Sequence, residues 1–466
     1  MSANNVGRPV SVLWSLVGLV GVCLVWLTIR VYFPQHGLDP SWVSATQSAV
    51  ETGRWFPDFV FTYGPAKHFI IFNPEFGYGP VALYMLCYAL IFASILTGGN
   101  PALRYFALSF CIVMLLSGLY GYLNILAFLY ILGVISHSRI AIVLCFFAPI
   151  FVFGKYNVGI MVILSCVLAL GWEAVFSGRW RENLLKIGIA LAASLAAFYL
   201  WFGPVDMLAF ARDHIDIVSG YSEAMTVHDN NIAPAIVTLM VAIGIVAATA
   251  RQFGGGLAAV TMTLLFFAYR EGYTRADGHI EAFWSVLLFV ALAWAMLMAH
   301  GGIFSRAGVR ANLGRICTVA LPAGALGVSI LLGYVRPGPM MLSLSSPGRV
   351  LTQFDQSLAL QADFGTHLGV AGRWEGETVD GFPIELGEAI YSAGTYRGRP
   401  VIQEYSAYTQ HLKQRNLDFL ASDRAPSVLL VRSLTEDIDN RLPGLSAGLM
   451  IPEILSRYSF ACEATM

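Results

Sequence analysis

The sequence predicts a polytopic α-helical membrane protein of about eleven spans, N-terminus inside and C-terminus outside, carrying a small extracytoplasmic α/β domain at its C-terminus. Three observations carry that prediction. Hydrophobic residues make up 57% of the 466 and charged residues only 12%, where soluble domains carry about 25% charged residues. Mean hydropathy is +0.65. Apolar runs of near-bilayer length recur between residues 11 and 335, separated by short charged loops. This composition excludes a soluble enzyme and a disordered chain, and a net charge of −1 gives no basic field for nucleic acid. The seven cysteines form no CxxC and no Cys/His cluster, which argues against a disulfide framework and structural zinc.

The first apolar run, 11–33, is long for a signal-peptide core and no small-x-small site follows it, so it is expected to be an uncleaved signal anchor. Further runs at 80–98, 104–119, 121–137, 140–154, 156–174, 186–203, 232–250, 255–270, 281–299 and 316–335 complete the count. With the N-terminus inside, the inner loops hold Arg8, Arg104, Arg139, Arg179, Arg181, Lys186, Arg251, Arg306, Arg310 and Arg315, against Glu173 and Glu182 alone. The outer loops hold most of the acids, among them Asp39, Glu51, Asp58, Asp206, Asp213, Glu223, Glu271 and Asp277. That asymmetry is the positive-inside pattern of a cytoplasmic-membrane protein. Residues 1–335 are therefore a multi-pass domain with external loops at 34–79, 203–231 and 270–281.

Residues 336–466 have ordinary soluble composition. Helical spacing falls at 348–361, 408–421 and 451–458, and 400–403 and 427–431 are short apolar strand candidates. The pattern ends on a helix without a closing strand, so this domain is expected to lack its last element. No internal repeat is present, and an inverted-repeat transporter gains no support from the sequence.

In the first external loop, Asp39-Pro40 is a strong helix start, with Asp as N-cap and Pro at the first helical position. A helix to Thr52, stopped by Gly53, puts Trp42, Ala45 and Ala49 on one stripe and Ser44, Gln47 and Glu51 on another. Such a helix is expected on the outer membrane surface with Trp42 at headgroup level. Aromatics, Asp58 and Lys67-His68 follow.

This arrangement resembles the GT-C superfamily of membrane glycosyltransferases. The more particular strings are Asp39-Pro-Ser-Trp42, Phe61-Thr-Tyr-Gly-Pro65, Arg275-Ala-Asp-Gly-His279 and Gln403-Glu-Tyr-Ser-Ala-Tyr-Thr409. They look like those of a bacterial group of GT-C-like proteins that includes arabinofuranosyltransferases. The resemblance implies a sugar donor linked to polyprenyl phosphate, a glycan or protein acceptor, and an acid after the first span as base. Such chemistry needs one carboxylate to take the acceptor's proton, worth about 10²–10⁴ in rate. It also needs cations where phosphate charge develops. It needs no nucleotide loop, and none is present.

Each candidate has a plainer alternative. Asp39 is the base or only a helix cap, and Asp58 is the rival base or a solvated loop acid. Arg54 and Lys67 bind the donor phosphate or lipid headgroups. Arg270 and Arg275 are phosphate ligands or members of an ion-paired connector. Asp277 and His279 orient one another or share a metal, but two ligands are too few to assign one, so no cofactor is expected. Tyr63 supports the site or belongs to a turn. Tyr221 and Glu223 line an acceptor groove or lie solvated on a surface helix at 206–218. Tyr405 and Tyr408 stack on sugar rings or pack within their domain. Lys155, at a short external turn, is expected to snorkel. A transporter or lipid flippase, and an envelope-assembly scaffold, are the competing functions.

Overall fold

The computed structural model describes residues 12–31, 38–53, 55–116, 122–226, 242–247, 249–250, 254–275, 279–300, 350–357, 374–384, 386–392, 394–431 and 447–461, with single positions at 239, 348, 359 and 444. The expected span 316–335 lies outside the described residues, as do Arg54, Asp277 and the side chains of Asp39 and Glu223.

Helix α1 (Val12–Leu27) leads through strand β1 (Arg30–Val31) to α2 (Leu38–Thr52). Strand β2 (Ile71–Phe72) pairs parallel with β1, Arg30 opposite Ile71. The bundle follows as α3 (Gly79–Thr97), α4 (Ala102–Leu116), α5 (Tyr122–Ile135), α6 (Ile140–Leu144), α7 (Ala148–Val152), α8 (Tyr156–Phe176), α9 (Trp180–Phe202), α10 (Met207–Met225), α11 (Gly255–Arg275) and α12 (Ile280–His300). Among the described residues, four helices are long and apolar enough to cross a membrane: α3, α8, α9 and Ile280–Leu297 of α12. The run 140–154 is not one helix. It breaks at a 3-10 turn, Cys145–Phe147, before Pro149, which has no N–H to donate to the helical ladder.

Helix α5 is the buried axis, with every residue but Leu123 inside. Helix α9 is its opposite and exposes Leu184, Leu185, Leu191 and Leu200. A leucine face of that extent is stable beside lipid rather than water, and marks a membrane-associated protein.

Helix α2 begins one residue before the expected cap, so Asp39 lies in its first turn, and Gly53 ends it at φ +64°. It is not a surface helix. Residues 41–47 are all buried, on the polar stripe as well as the apolar one. Trp42 is packed inside rather than set at headgroup level, and stacks on Tyr63 with centroids 4.5 Å apart.

The C-terminal region holds a three-stranded parallel sheet in the order β4-β3-β5: β3 (Thr378–Phe382), β4 (Thr395–Tyr396) and β5 (Val428–Val431). Helices α13 (Gly387–Ile390), α14 (Gln410–Ala421) and α15 (Met450–Arg457) accompany it. The strand expected at 400–403 is not part of this sheet. Val401 instead bridges Val60 of the first loop, where Val60 N–H donates to Pro400 O at 2.7 Å. The sheet is joined internally by a buried guanidinium. Arg399 reaches Asp380 at 2.8 Å and Glu404 at 3.1 Å. Asn416 completes the group through Val401 and Glu404.

This region sits on the first loop and α10 through charged contacts. Asp213 of α10 is buried between His411, at 2.8 Å, and Arg415 of α14. Thr409 donates to Asp216 at 2.9 Å, and Arg415 also donates to Pro57 O at 2.7 Å. Leu386, Val401, Ile402, Ala407 and Leu412 join the main hydrophobic core, while Phe382, Phe419, Leu420, Ala447, Met450 and Ile454 form a small core of their own.

Candidate functional site

The docked C-terminal region roofs a cavity of about 350 Å³. Five stretches far apart in sequence wall it, one of them Lys155 and Asn157 at the start of α8. The first loop supplies Trp42, Phe61, Thr62 and Tyr63, and α10 supplies Val218, Tyr221 and Met225. The end of α11 and its connector supply Arg270, Glu271, Arg275 and His279. Gln403, Tyr405, Ser406 and Tyr408 come from the C-terminal region.

The cations line one side. Arg270 Nε donates to Ser222 Oγ at 2.8 Å and Nη2 to Val218 O at 2.6 Å, which ties α11 to α10. Its Nη1 has no hydrogen-bond partner among the described residues and remains available to a ligand. Lys155, the residue before α8, is not a snorkelling side chain. Its Nζ pairs with Glu271 Oε1 at 3.0 Å and lies 5.8 Å from the Tyr63 ring centroid. Glu271 Oε2 accepts from Asn124 Nδ2 at 2.8 Å. Burial alone favours the neutral forms, but the attraction between the two charges wins. Lys155 is held above its ordinary pKa and Glu271 below its own, so both stay ionised. Among the described lining residues, three fixed cations thus face one carboxylate.

Aromatic rings make the remaining walls. Trp42, Phe61 and Tyr63 form one group. Across the cavity Tyr221 meets Tyr408 edge-to-face at 6.1 Å. Tyr405 Oη donates to Gln403 Oε1 at 2.8 Å. Gln403 is buried, and its Nε2 has no partner among the described residues.

Seven residues singled out in the sequence meet here: Tyr63, Tyr221, Arg270, Arg275, His279, Tyr405 and Tyr408. Two do not. Asp58 stands outside and pairs with Arg424 at 2.7 Å, both side chains well exposed, so the cavity geometry does not support it as a base. Lys67 is buried with Nζ donating to Val43 O at 2.8 Å, and burial pushes its pKa well down. It holds α2 against the loop and does not line the cavity. Sequence reasoning missed Lys155, Glu271 and Asn124. The one signal for Glu271 is its place beside Arg270, at the start of the charge-rich connector. Its partner Lys155 is 116 residues away.

No protein-family model, curated protein or solved structure matches this chain.

Proposed function

We propose that the chain is a GT-C-like glycosyltransferase that moves a sugar from a polyprenyl-phosphate donor to an envelope glycan or protein. In this reading the chain crosses the cytoplasmic membrane about eleven times, N-terminus inside, and the cavity opens on the outer face. One observation carries it: cations and sugar-sized aromatic faces converge in one cavity between the apolar helices and the C-terminal region. Arg270 Nη1 and Arg275 take the donor phosphate, with His279 beside them. The rings of Tyr221, Tyr405 and Tyr408 offer flat apolar faces with polar edges to the sugar and the acceptor, while Trp42 and Tyr63, stacked on one another, form the wall beside them.

The acceptor oxygen bonds to the anomeric carbon as the bond from that carbon to the phosphate oxygen breaks. Polyprenyl phosphate leaves with the bonding pair, and the guanidinium groups stabilise its new charge. The acceptor's proton goes to a carboxylate. Asp39 is the first-loop acid proposed for that role, three residues before Trp42, a spacing that puts both positions on one helix face. Glu271 is fully engaged by Lys155 and Asn124 and serves to hold Lys155 in place.

Lipid extracts test the donor class. Cells lacking the protein are expected to accumulate a polyprenyl-phosphate-linked sugar. The native chain reverses that accumulation and Arg275→Gln does not. An unchanged lipid-linked sugar pool in the deletion would remove the donor assignment and bring the flippase or scaffold reading forward.

A further inference from the structure

A second cavity, of about 240 Å³, lies between α2 and the C-terminal sheet and shares no lining residue with the first. Two guanidinium groups line it, Arg397 and Arg424, together with Ser48, Thr52, Asp58 and Tyr396. Arg424 is neutralised by Asp58 at 2.7 Å. Arg397 has a backbone bond to Val379 O, but its side chain has no hydrogen bond or ion pair among the described residues. The lining therefore carries one uncompensated positive charge.

The chain around Tyr396 is built tightly. A Cβ at Gly398 would stand 2.2 Å from Tyr396 Oη, so only glycine lets the backbone close over that hydroxyl. The hydroxyl is itself buried, with no hydrogen-bond partner among the described residues. With no accessible surface, it lies under the chain and out of reach of a molecule in the cavity. Ser48 of α2 brings a hydroxyl to the opposite wall, whereas Thr52, one turn on, already donates its proton to Ser48 O at 2.7 Å.

We propose that this cavity binds a single anionic group, a carboxylate or a phosphate, held by Arg397 with the Ser48 hydroxyl beside it. The chemistry is that of a charge-assisted fork from a planar guanidinium. The volume is below the ~300–1,000 Å³ of drug-sized pockets, so the ligand is one acidic sugar ring or one lipid headgroup. The site stands whether or not the first cavity transfers a sugar, because it is read by equilibrium binding and not by turnover.

The test is titration calorimetry on the full chain in phosphatidylcholine nanodiscs, with glucuronate and glycerol 3-phosphate as probes and glucose and glycerol as neutral controls. At least one anion is expected to bind saturably while the neutral controls do not. Arg397→Gln is expected to weaken binding about tenfold or more, as for loss of a hydrogen bond from a charged group. Arg397→Lys retains part of the affinity, and Ser48→Ala loses a smaller factor. Binding of glucuronate alone identifies an acidic sugar, and binding of glycerol phosphate alone a lipid headgroup. Two results overturn the proposal. One is that neither anion binds the native chain. The other is that Arg397→Gln binds as the native chain does, including the case in which Arg275→Gln abolishes binding and so places the anion in the first cavity.

Discussion

At the scale of single residues, the Lys155–Glu271 pair shows how the cavity holds charge. Both side chains are mostly buried, so removing one leaves the other charged and unpaired. Glu271→Ala is expected to cost about 3–5 kcal/mol, read from chemical unfolding in detergent. Replacing the pair together, Lys155→Met with Glu271→Leu, is expected to restore most of that stability while leaving the cavity with Arg270 and Arg275 but without this ion pair. His214 gives a second test. It is buried against Phe210 and Tyr156, and burial, with a smaller push from Arg415, lowers its pKa to about 4 despite the bond from its ring to Phe210 O. Above pH 6.5 both folded and unfolded chains hold it neutral, and its contribution to stability is complete. As pH falls from 6.5 to about 4 the unfolded chain takes a proton that the folded chain refuses, and about 3 kcal/mol is lost. His214→Phe is expected to flatten that part of the stability profile. An unchanged slope in this variant would show that other groups produce it.

At the scale of elements, the decisive contact is between α10 and α14. Asp213 is 1% exposed and accepts from both His411 and Arg415. Asp213→Ala is expected to release the C-terminal region, seen as faster proteolysis in the segment around 400–425 and loss of the cavity's roof. Asp58→Asn breaks a pair whose side chains are 43% and 59% exposed, and is expected to change stability by less than about 1 kcal/mol. Elements were legible in the sequence where an apolar run sets them: α3, α8 and α12 lie close to their expected bounds. Strand β3 was not legible, because Thr-Val-Asp-Gly-Phe carries an acid and a glycine that pattern reasoning assigns to a turn. Its Asp380 is tolerated inside because Arg399 meets it there. The buried polar stripe of α2 has the same cause. Ser44 and Gln47 stand on its polar stripe, yet both are buried, with Ser44 Oγ 3.5 Å from Tyr391 Oη of the C-terminal region and Gln47 Nε2 donating to Glu51 at 2.6 Å.

At the scale of the whole molecule, the candidate site is assembled from helices and loops far apart in sequence. Arg270, Arg275 and His279 could be found in the sequence because charges between two apolar runs stand out. The acids were harder to rank, since partners decide their role: Arg424, which takes Asp58 out of the cavity, is 366 residues away. The central claim is transfer of an envelope sugar by the residues around this cavity. It is tested most directly by sugar composition of envelope glycans and glycoproteins from cells lacking the protein. These are compared with cells carrying the native chain or Asp39→Asn at equal membrane levels. The account predicts that one sugar disappears in the deletion, returns with the native chain and stays absent with Asp39→Asn. An envelope composition unchanged by the deletion, under conditions where the native protein is expressed, would contradict it.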